Sequence, residues 1–317
     1  MYFPYLRGKQ FELLALRELA EKDLIEEGVI FPIIEPLKPT STLLKTLECF
    51  IGKNINIGFI TNPMVGNFEE ERDKMSPENL EQLNKLMDNN SIVNAHIMNK
   101  NSLREIKALG VSKNQLITIF NSKEVNHLAT YNTIFSETKP DLSLIPDDSA
   151  FRRSVNTNKI LFADKFEKKV RNSDYCGVDD EFFSSDHKFF NDEGYKGFSD
   201  YSVVGSDFKE SGFAPYAVAI HIVYFDEENN LRVKHFVSDS NDDITDPAGK
   251  FAEALRKLIA WADTVDVDTY GLNQFKQYYK EQKYPGLGTV KKVSVMHHLE
   301  LMNQYLLKSR GEKSDML

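Results

Sequence analysis

The chain has 317 residues and a net charge of −9, from 39 basic and 48 acidic residues, which argues against a protein that coats nucleic acid but allows a local basic pocket. No apolar run reaches the roughly 20 residues of a membrane-spanning helix, and the first residues lack the layout of a signal peptide. Cys49 and Cys176 stand far apart, outside any CxxC spacing. These features predict a cytoplasmic protein without a membrane segment or a disulfide framework.

The opening of the chain sets a pattern that recurs along it. Tyr2 to Leu6 predicts a short strand, Arg7-Gly8-Lys9 a charged corner, and the residues up to about Lys22 an amphipathic helix. Thr40 or Ser41 caps the next helix, which Gly52 ends, and Ser76 caps a later one. The further strand candidates are residues 29–36, 55–60, 91–98, 116–120, 142–145, 159–163 and 200–204.

Strands that alternate with helical segments predict parallel βαβ units. Eight such units fit a closed (β/α)8 barrel of the TIM type better than an open sheet, because closure leaves no exposed edge strand. The alternative is a doubly wound open sheet formed by the first five or six units, followed by a separate C-terminal domain. We predict a single barrel domain over residues 1–317.

The pattern changes after Val204. Residues 217–225 and 231–237 predict an antiparallel hairpin around a polar turn, within an insertion at 213–240. Asp246-Pro247 opens a strong helix that runs to Ala262. Residues 290–317 predict a terminal helix with a polar, frayed tail. The exposed edge of the hairpin predicts a homo-oligomer or docking of a partner.

Polar residues follow the predicted barrel strands, and functional groups of such barrels collect at the carboxyl ends of the strands. At the first corner, free backbone N–H groups and the helix dipole favour an anion between Arg7 and Lys9. The alternative is a solvated corner in which Arg7 pairs with Glu35 or with an aspartate across the barrel mouth. The candidate residues for a phosphate-bearing ligand are Arg7, Lys9, Asn62, Asn121 and Lys165.

Carboxylates form a second group of candidates. Glu35, Asp147, Asp164 and Asp200 are candidate catalytic residues, and the first three are candidate ligands for Mg²⁺ or Mn²⁺. The same side chains can instead pair with cations, in a mixed cluster that holds no metal. The cations available for such pairs are Arg7, Lys9, Arg152 and Lys165.

Histidines and aromatic residues add weaker indications. We expect His96 to face the barrel interior, and His221 and His235 to be cross-strand neighbours in the hairpin. His297-His298 is expected at the surface or in packing. Aromatic residues between 175 and 208, together with Lys169, Arg171 and Lys196, indicate core packing beneath a long loop or a surface that stacks on bases.

Several segments resemble a family of uncharacterised bacterial proteins. They are the opening residues 1–18, then Asp-Lys-Phe at 164–166, and residues 171–175, 180–184, 197–201, 217–221 and 235–238. The aspartate and tyrosine stretch followed by a hairpin is similar to the end of the phage-type beta protein family. The resemblance implies a component of bacterial mobile-element or phage-defence loci, in some cases beside a nuclease-like protein. It implies no reaction.

Two functions remain open on these residues. The first is a barrel subunit that recognises a phosphate-bearing ligand, such as a nucleotide or a nucleic-acid end, for a partner protein. The second is a metal-assisted phosphodiester hydrolase with its site at the barrel mouth. Arg7-Gly8 also resembles the His-Arg-Gly of glycerophosphodiester phosphodiesterases, although Leu6 replaces the histidine and Glu35-Pro36 stands where that family has Glu-x-Asp.

Overall fold

The computed structural model describes residues 1–178, 180–210 and 215–314. Contacts between Cα atoms divide the chain into two compact units. The first comprises Met1–Leu13, Ala20–Ala163 and Asp186–Asp200, and the second comprises Leu14–Leu19, Asp164–Ser185 and the chain from Tyr201 onward. Residues 213 and 214 of the predicted insertion and 315–317 of the predicted tail lie outside the described residues. The single domain over 1–317 stays a prediction.

The first unit is a (β/α)8 barrel of the TIM type, as predicted. Its strands are all parallel, and each pairs with the next along the chain. The eighth barrel strand, β9 (Gly197–Ser199), follows β7 in the sheet because β8 (Asp180–Ser184) belongs to the second unit. The other strands are β1 Tyr5–Leu6, β2 Ile33–Ile34, β3 Ile57–Ile60, β4 Ile92–Ile97, β5 Ile117–Ile119, β6 Leu142–Ile145 and β7 Lys159–Phe162.

The two ends of this sheet meet at the start of the chain. Tyr2 forms parallel bridges with both Ile30 and Phe198, and the Phe3 N–H donates to the Phe198 carbonyl at 2.9 Å. The first and last strands therefore close the barrel nearly completely. Inside it, the rings of Tyr5 and Phe162 stack with centroids 5.3 Å apart.

Helices alternate with the barrel strands as predicted, and their caps match the sequence signals in most places. The Thr40 and Ser76 side chains accept from the N–H groups three residues on, at 3.3 and 3.4 Å. The end predicted at Gly52 is wrong, because the helix continues to Lys53 and stops at Asn54, which is left-handed. The helices are α1 Gln10–Glu21, α2 Ser41–Lys53, α3 Phe68–Arg72, α4 Pro77–Met87, α5 Ser102–Leu109, α6 Asn126–Ile134, α7 Ser149–Ser154 and α8 Asp186–Phe189.

The eighth strand predicted at 200–204 is wrong by a few residues. That segment contains a 3-10 turn, Ser202–Val204, and Ser202 has a φ of 52°. The strand lies just before it, at Gly197–Ser199. A Cβ at position 197 would lie 2.4 Å from the Met1 carbonyl oxygen, so only glycine permits this strand to approach the first one.

The second unit contains a three-stranded antiparallel sheet in the order β10-β11-β8, where β10 is Ala219–Phe225 and β11 is Leu231–Val237. The predicted hairpin is confirmed as β10 and β11, and β8 adds a third strand that the sequence analysis does not predict. The helices α9 (Pro247–Ala262), α10 (Tyr270–Glu281) and α11 (Leu287–Ser314) follow. Residues of β10, α9 and α10, among them Ile220, Leu258 and Phe275, share one apolar core. Within the described residues, no helix combines the length and apolar character needed to cross a bilayer.

Candidate functional site

The predicted carboxylate Glu35 lies at the end of β2 and is fully buried. The Tyr5 hydroxyl and Nη1 of Arg7 donate to Oε2 of this carboxylate, each at 2.7 Å. The Met64 N–H donates to Oε1, also at 2.7 Å. A buried carboxylate is stable only when cations and hydrogen-bond donors replace its water. Here three donors do so, and the pair formed by Arg7 and Glu35 matches the alternative that the sequence leaves open.

The Arg7 guanidinium is committed to this pair. Its side chain is only 13% exposed and lies 5.7 Å from the centroid of the Tyr5 ring. A Cβ at Gly8 would lie 3.0 Å from the Glu35 carbonyl oxygen, so glycine allows the corner to approach β2 closely. Lys9 is partly buried. Anion binding by Arg7 and Lys9 stays a prediction, and it would have to compete with Glu35.

Asp200 and Asp147, the other two candidate carboxylates in the first unit, also have partners. The Tyr2 hydroxyl donates to Asp200 at 2.7 Å, and both side chains are buried. Burial, and next the charge of Asp200, raises the pKa of Tyr2 well above its usual value. Asp147 is 65% exposed and forms a salt bridge with Arg152. Neither carboxylate lacks a partner.

Asp164 belongs to the second unit, where it holds two loop segments together. Its oxygens accept from the Phe166 N–H at 3.1 Å and from the Ser206 N–H at 2.7 Å. Among the residues that the structure describes, no three His, Cys, Asp or Glu side chains form a group that could hold a metal ion. The metal group of Glu35, Asp147 and Asp164 stays a prediction, and a metal ion would have to compete with the hydrogen-bond and ion-pair partners of each carboxylate.

The structure gives the local surroundings of the remaining predicted ligand-binding residues, Asn62, Asn121 and Lys165. The Asn62 amide exchanges hydrogen bonds with the backbone of Ile97, donating at 2.9 Å and accepting at 2.8 Å. It thereby ties the end of β3 to the end of β4. Asn121 is exposed after β5, and Lys165 is partly buried in the second unit.

The expectation that His96 faces the barrel interior is wrong. His96, Thr118 and Ser143 occupy one row across β4, β5 and β6, and Ser143 lies 3.3 Å from the Tyr131 hydroxyl of α6. This row faces the helices, and Nε2 of His96 lies 2.9 Å from Oγ of Ser102 in α5. Burial lowers the pKa of His96 to about 4.

His96, Ser102 and Glu105 do not form a catalytic triad. Oγ of Ser102 and Oε2 of Glu105 approach the same imidazole nitrogen, Nε2, at 2.9 and 3.7 Å. A triad needs the carboxylate on the opposite nitrogen. Ser102 is also fully buried and accepts the Asn99 N–H at 2.8 Å. The cluster stabilises the junction between β4 and α5.

A different site lies wholly within the second unit. It is a cavity of about 240 Å³ between residues 166–175, the start of β10 and the first turns of α11. Its lining combines cationic, aromatic and imidazole side chains, a composition suited to an anionic ligand with a planar part. We call it the lysine cavity, after the residues Lys168, Lys169 and Lys291, which line it with Phe166, Tyr175 and His221.

A chain of hydrogen bonds leads from the sheet to this cavity. Oε2 of Glu181 in β8 lies 2.9 Å from Nε2 of His235 in β11. Nδ1 of His235 lies 2.8 Å from Nδ1 of His221 in β10. The prediction that the two histidines are cross-strand neighbours is confirmed by their register. Burial, His235 and Lys291 together lower the pKa of His221 well below its usual value.

Acidic neighbours balance part of the cationic charge. Nζ of Lys169 lies 2.7 Å from Glu167 and 3.0 Å from Glu181, and hydrogen bonds with these two carboxylates raise the pKa of Lys169 to about 12. Lys168 lies 3.4 Å from Asp207. These pairs are partly exposed, and a phosphate that enters the cavity would compete with the carboxylates for the two lysines.

Some residues of the lysine cavity belong to segments that the sequence analysis singles out. Lys169 and Tyr175 belong to the predicted base-stacking stretch, and His221 and His235 to the predicted hairpin. Lys291 lies about seventy residues beyond His221 in the chain, and no spacing signals its contribution. A scan against protein-family models finds no match to this chain, and a search of curated proteins finds no similar sequence.

Proposed function

We propose that the protein is a recognition subunit and that the lysine cavity binds a phosphate-bearing ligand, such as a nucleotide or a nucleic-acid end. The observation that carries the proposal is the convergence of Lys168, Lys169 and Lys291 on one cavity that Tyr175 also lines. A lysine ammonium is a compact charge with three donors, which suits the oxygens of a phosphate. The three lysines meet at this cavity although the chain as a whole has a net charge of −9.

The start of α11 adds to this preference for an anion. Leu287, the first residue of the helix, lines the cavity together with Val290, Lys291 and Ser294. The free N–H groups and the dipole of a helix favour negative charge at its N-terminus. The four lining residues share one face of the first two turns, so the positive end of the helix dipole lies beside the cavity.

The size and lining of the cavity indicate which part of a ligand enters. Typical small-molecule sites have volumes of roughly 300–1,000 Å³, and this cavity has about 240 Å³. It therefore suits one terminal unit of a longer molecule better than a large free ligand. Tyr175 and Phe166, whose ring centroids lie 6.2 Å apart, offer apolar faces to a base or sugar.

The family resemblance supports the biological setting of this proposal. We place the protein in the cytoplasm of a bacterium, as a subunit of a mobile-element or phage-defence system that acts beside a nuclease-like partner. Self-association through the edges of the β10-β11-β8 sheet belongs to the same proposal. Phe182 on the edge strand β8 is 56% exposed, so light scattering of Phe182→Lys against the unchanged protein tests that interface.

Binding is tested with a fluorescent single-stranded oligonucleotide that carries either a 5′-phosphate or a 5′-hydroxyl. Lys291→Glu should weaken binding of the phosphorylated form by about 10- to 100-fold, since a charge-assisted hydrogen bond contributes roughly 1.5–3 kcal/mol. Lys308→Glu makes the same charge change at an exposed position of the same helix. It is the matched control and should leave the affinity within about 2-fold.

Fluorescence anisotropy gives the two affinities. Equal binding of the phosphorylated and hydroxyl forms would contradict recognition of a phosphate. An equal loss in Lys291→Glu and Lys308→Glu would show attraction to the general surface charge and would remove the cavity from the proposal.

A further inference from the structure

The hydrogen bonds behind the lysine cavity determine where the protons of its histidines lie. Glu181 is paired with Lys169, and an ionised carboxylate can only accept. His235 therefore donates to Glu181 through Nε2–H, at 2.9 Å, and its neutral ring has an acceptor at Nδ1. His221 must then donate to that acceptor through its own Nδ1–H, at 2.8 Å. This leaves a lone pair on Nε2 of His221.

Nε2 of His221 is the end of this hydrogen-bonded chain. No described residue forms a hydrogen bond with it, and it is not among the buried polar atoms that lack a partner. His221 lines the cavity and is partly exposed, so we take Nε2 as the atom that it offers to a ligand. The rings of Tyr175 and Phe166 lie edge-on to the imidazole, at 4.7 and 5.0 Å between centroids, and fix its orientation.

We infer that His221 is a general base and that the lysine cavity hydrolyses a phosphate ester of its ligand without a metal ion. The inference rests on the proposed binding of a phosphate-bearing ligand and adds a reaction to it. A base must lie within reach of the proton that it removes, and a third group should orient it. Here the lysines hold the phosphate, His221 offers the lone pair, and His235 with Glu181 orients and supports the ring.

The step balances without any further reactant. Nε2 of His221 takes a proton from a water molecule, and the water oxygen forms a bond to phosphorus. The bond from phosphorus to the ester oxygen breaks on the opposite side, the leaving oxygen takes a proton from solvent water, and the imidazolium then releases its proton to solvent. The products are a phosphate with one ester bond fewer and an alcohol. During the step, Glu181 stabilises the imidazolium through His235, and the lysines stabilise the charge on the phosphate oxygens.

Charged and titratable groups surround the base on several elements, and they set its pH dependence. They are His235 on β11, Glu181 on β8, Tyr175 and Lys169 on residues 166–175, and Lys291 on α11. Burial, then His235 and Lys291, hold the pKa of His221 well below its usual value, so the ring is neutral at pH 7 and its lone pair is available there. Activity should fall at acid pH, when the ring binds a proton.

The test uses the full chain in EDTA with bis(p-nitrophenyl) phosphate as substrate. We expect hydrolysis by the unchanged protein and a loss of about 100-fold or more in kcat for His221→Gln, since general-base catalysis contributes about 10²–10⁴-fold. The matched control is His127→Gln in α6 of the barrel unit, where the imidazole lies 3.5 Å from Glu124. It should hydrolyse the substrate at the rate of the unchanged protein.

Glu181→Gln tests the positioning role. It should lower kcat by less than His221→Gln does, and it should move the acid limb of the kcat/KM profile to lower pH. The reason is that the carboxylate no longer stabilises the protonated ring. A purely structural role of Glu181 would lower the rate without moving this limb.

The unchanged protein decides the question even if His221→Gln fails to fold. Binding of the phosphorylated oligonucleotide without hydrolysis in EDTA would overturn the general base and leave the proposed function intact. Hydrolysis that requires Mn²⁺, or that persists in His221→Gln, would also overturn it. Absence of both binding and hydrolysis would overturn the proposed function and this inference together.

Discussion

The first unit, which contains the barrel and is called the barrel unit here, differs from the second, the sheet unit with β10-β11-β8, in where the hydrogen bonds of a buried polar group end. In the barrel, the fully buried carboxylate of Glu35 receives three donors, from Tyr5, Arg7 and the Met64 N–H. In the sheet unit, the hydrogen-bonded chain that starts at Glu181 ends on His221, at the wall of a cavity. Polar groups whose bonds are complete maintain a fold, because any ligand must first break those bonds. A ligand can therefore approach the His221 ring without first breaking a hydrogen bond, whereas at Glu35 it would have to displace a donor.

The largest effect on stability is expected when the Glu35 carboxylate is removed. If the carboxylate is architectural, Glu35→Ala should lower the free energy of unfolding by about 3–5 kcal/mol, since it leaves the largely buried Arg7 cation without its partner. Asp147→Ala removes an exposed partner of Arg152 and should cost about 1 kcal/mol or less. Urea denaturation measures both. A stable Glu35→Ala protein that loses ligand binding would return the functional site to the barrel mouth.

The next largest effect is the dependence of stability on pH that the buried His96 causes. Burial lowers the pKa of His96 to about 4 in the folded state, below its usual value of 6.5. The unfolded chain therefore binds a proton first as the pH falls. The stabilisation is complete above about pH 6.5 and is lost between there and pH 4. A shift of this size corresponds to about 3 kcal/mol.

Urea denaturation at pH 7 and pH 4 measures the effect, and His96→Gln should reduce the difference by that amount. His297, whose pKa burial also lowers to about 4, contributes in the same direction. Glu300 opposes both, because burial raises its pKa to about 7 and its contribution is lost as the pH rises from about 4.5 to 7. An unchanged pH difference in His96→Gln would show that this imidazole is not enclosed.

The smallest expected effect concerns metal ions. Because Asp164 accepts two backbone N–H groups, Asp164→Asn should lower the free energy of unfolding by about 1 kcal/mol through weaker hydrogen bonds. Mn²⁺ added to chelator-treated protein should leave the melting temperature unchanged, with or without the substitution. A rise in melting temperature with Mn²⁺ that Asp164→Asn abolishes would support the metal-assisted hydrolase instead.

Several local features could be read from the sequence because their causes are local. Periodic apolar residues and the caps at Thr40 and Ser76 predict the βα units, and alternation predicts the hairpin of β10 and β11. The eighth strand could not be placed this way. Val203 and Val204 have high strand propensity, yet the strand forms at Gly197, where absence of a side chain permits contact with the first strand.

The sequence by itself therefore determined the fold class, since hydrophobic period and turn chemistry act between residues a few positions apart. Only the tertiary structure decided the partners of each polar side chain. On composition alone Glu35 could bind a metal or pair with Arg7, and only the structure shows its oxygen 2.7 Å from the guanidinium. His221 and Lys291 line one cavity because β10 and α11 fold together. The cavity depends on contacts between residues far apart in the sequence, and a local sequence pattern does not predict such contacts.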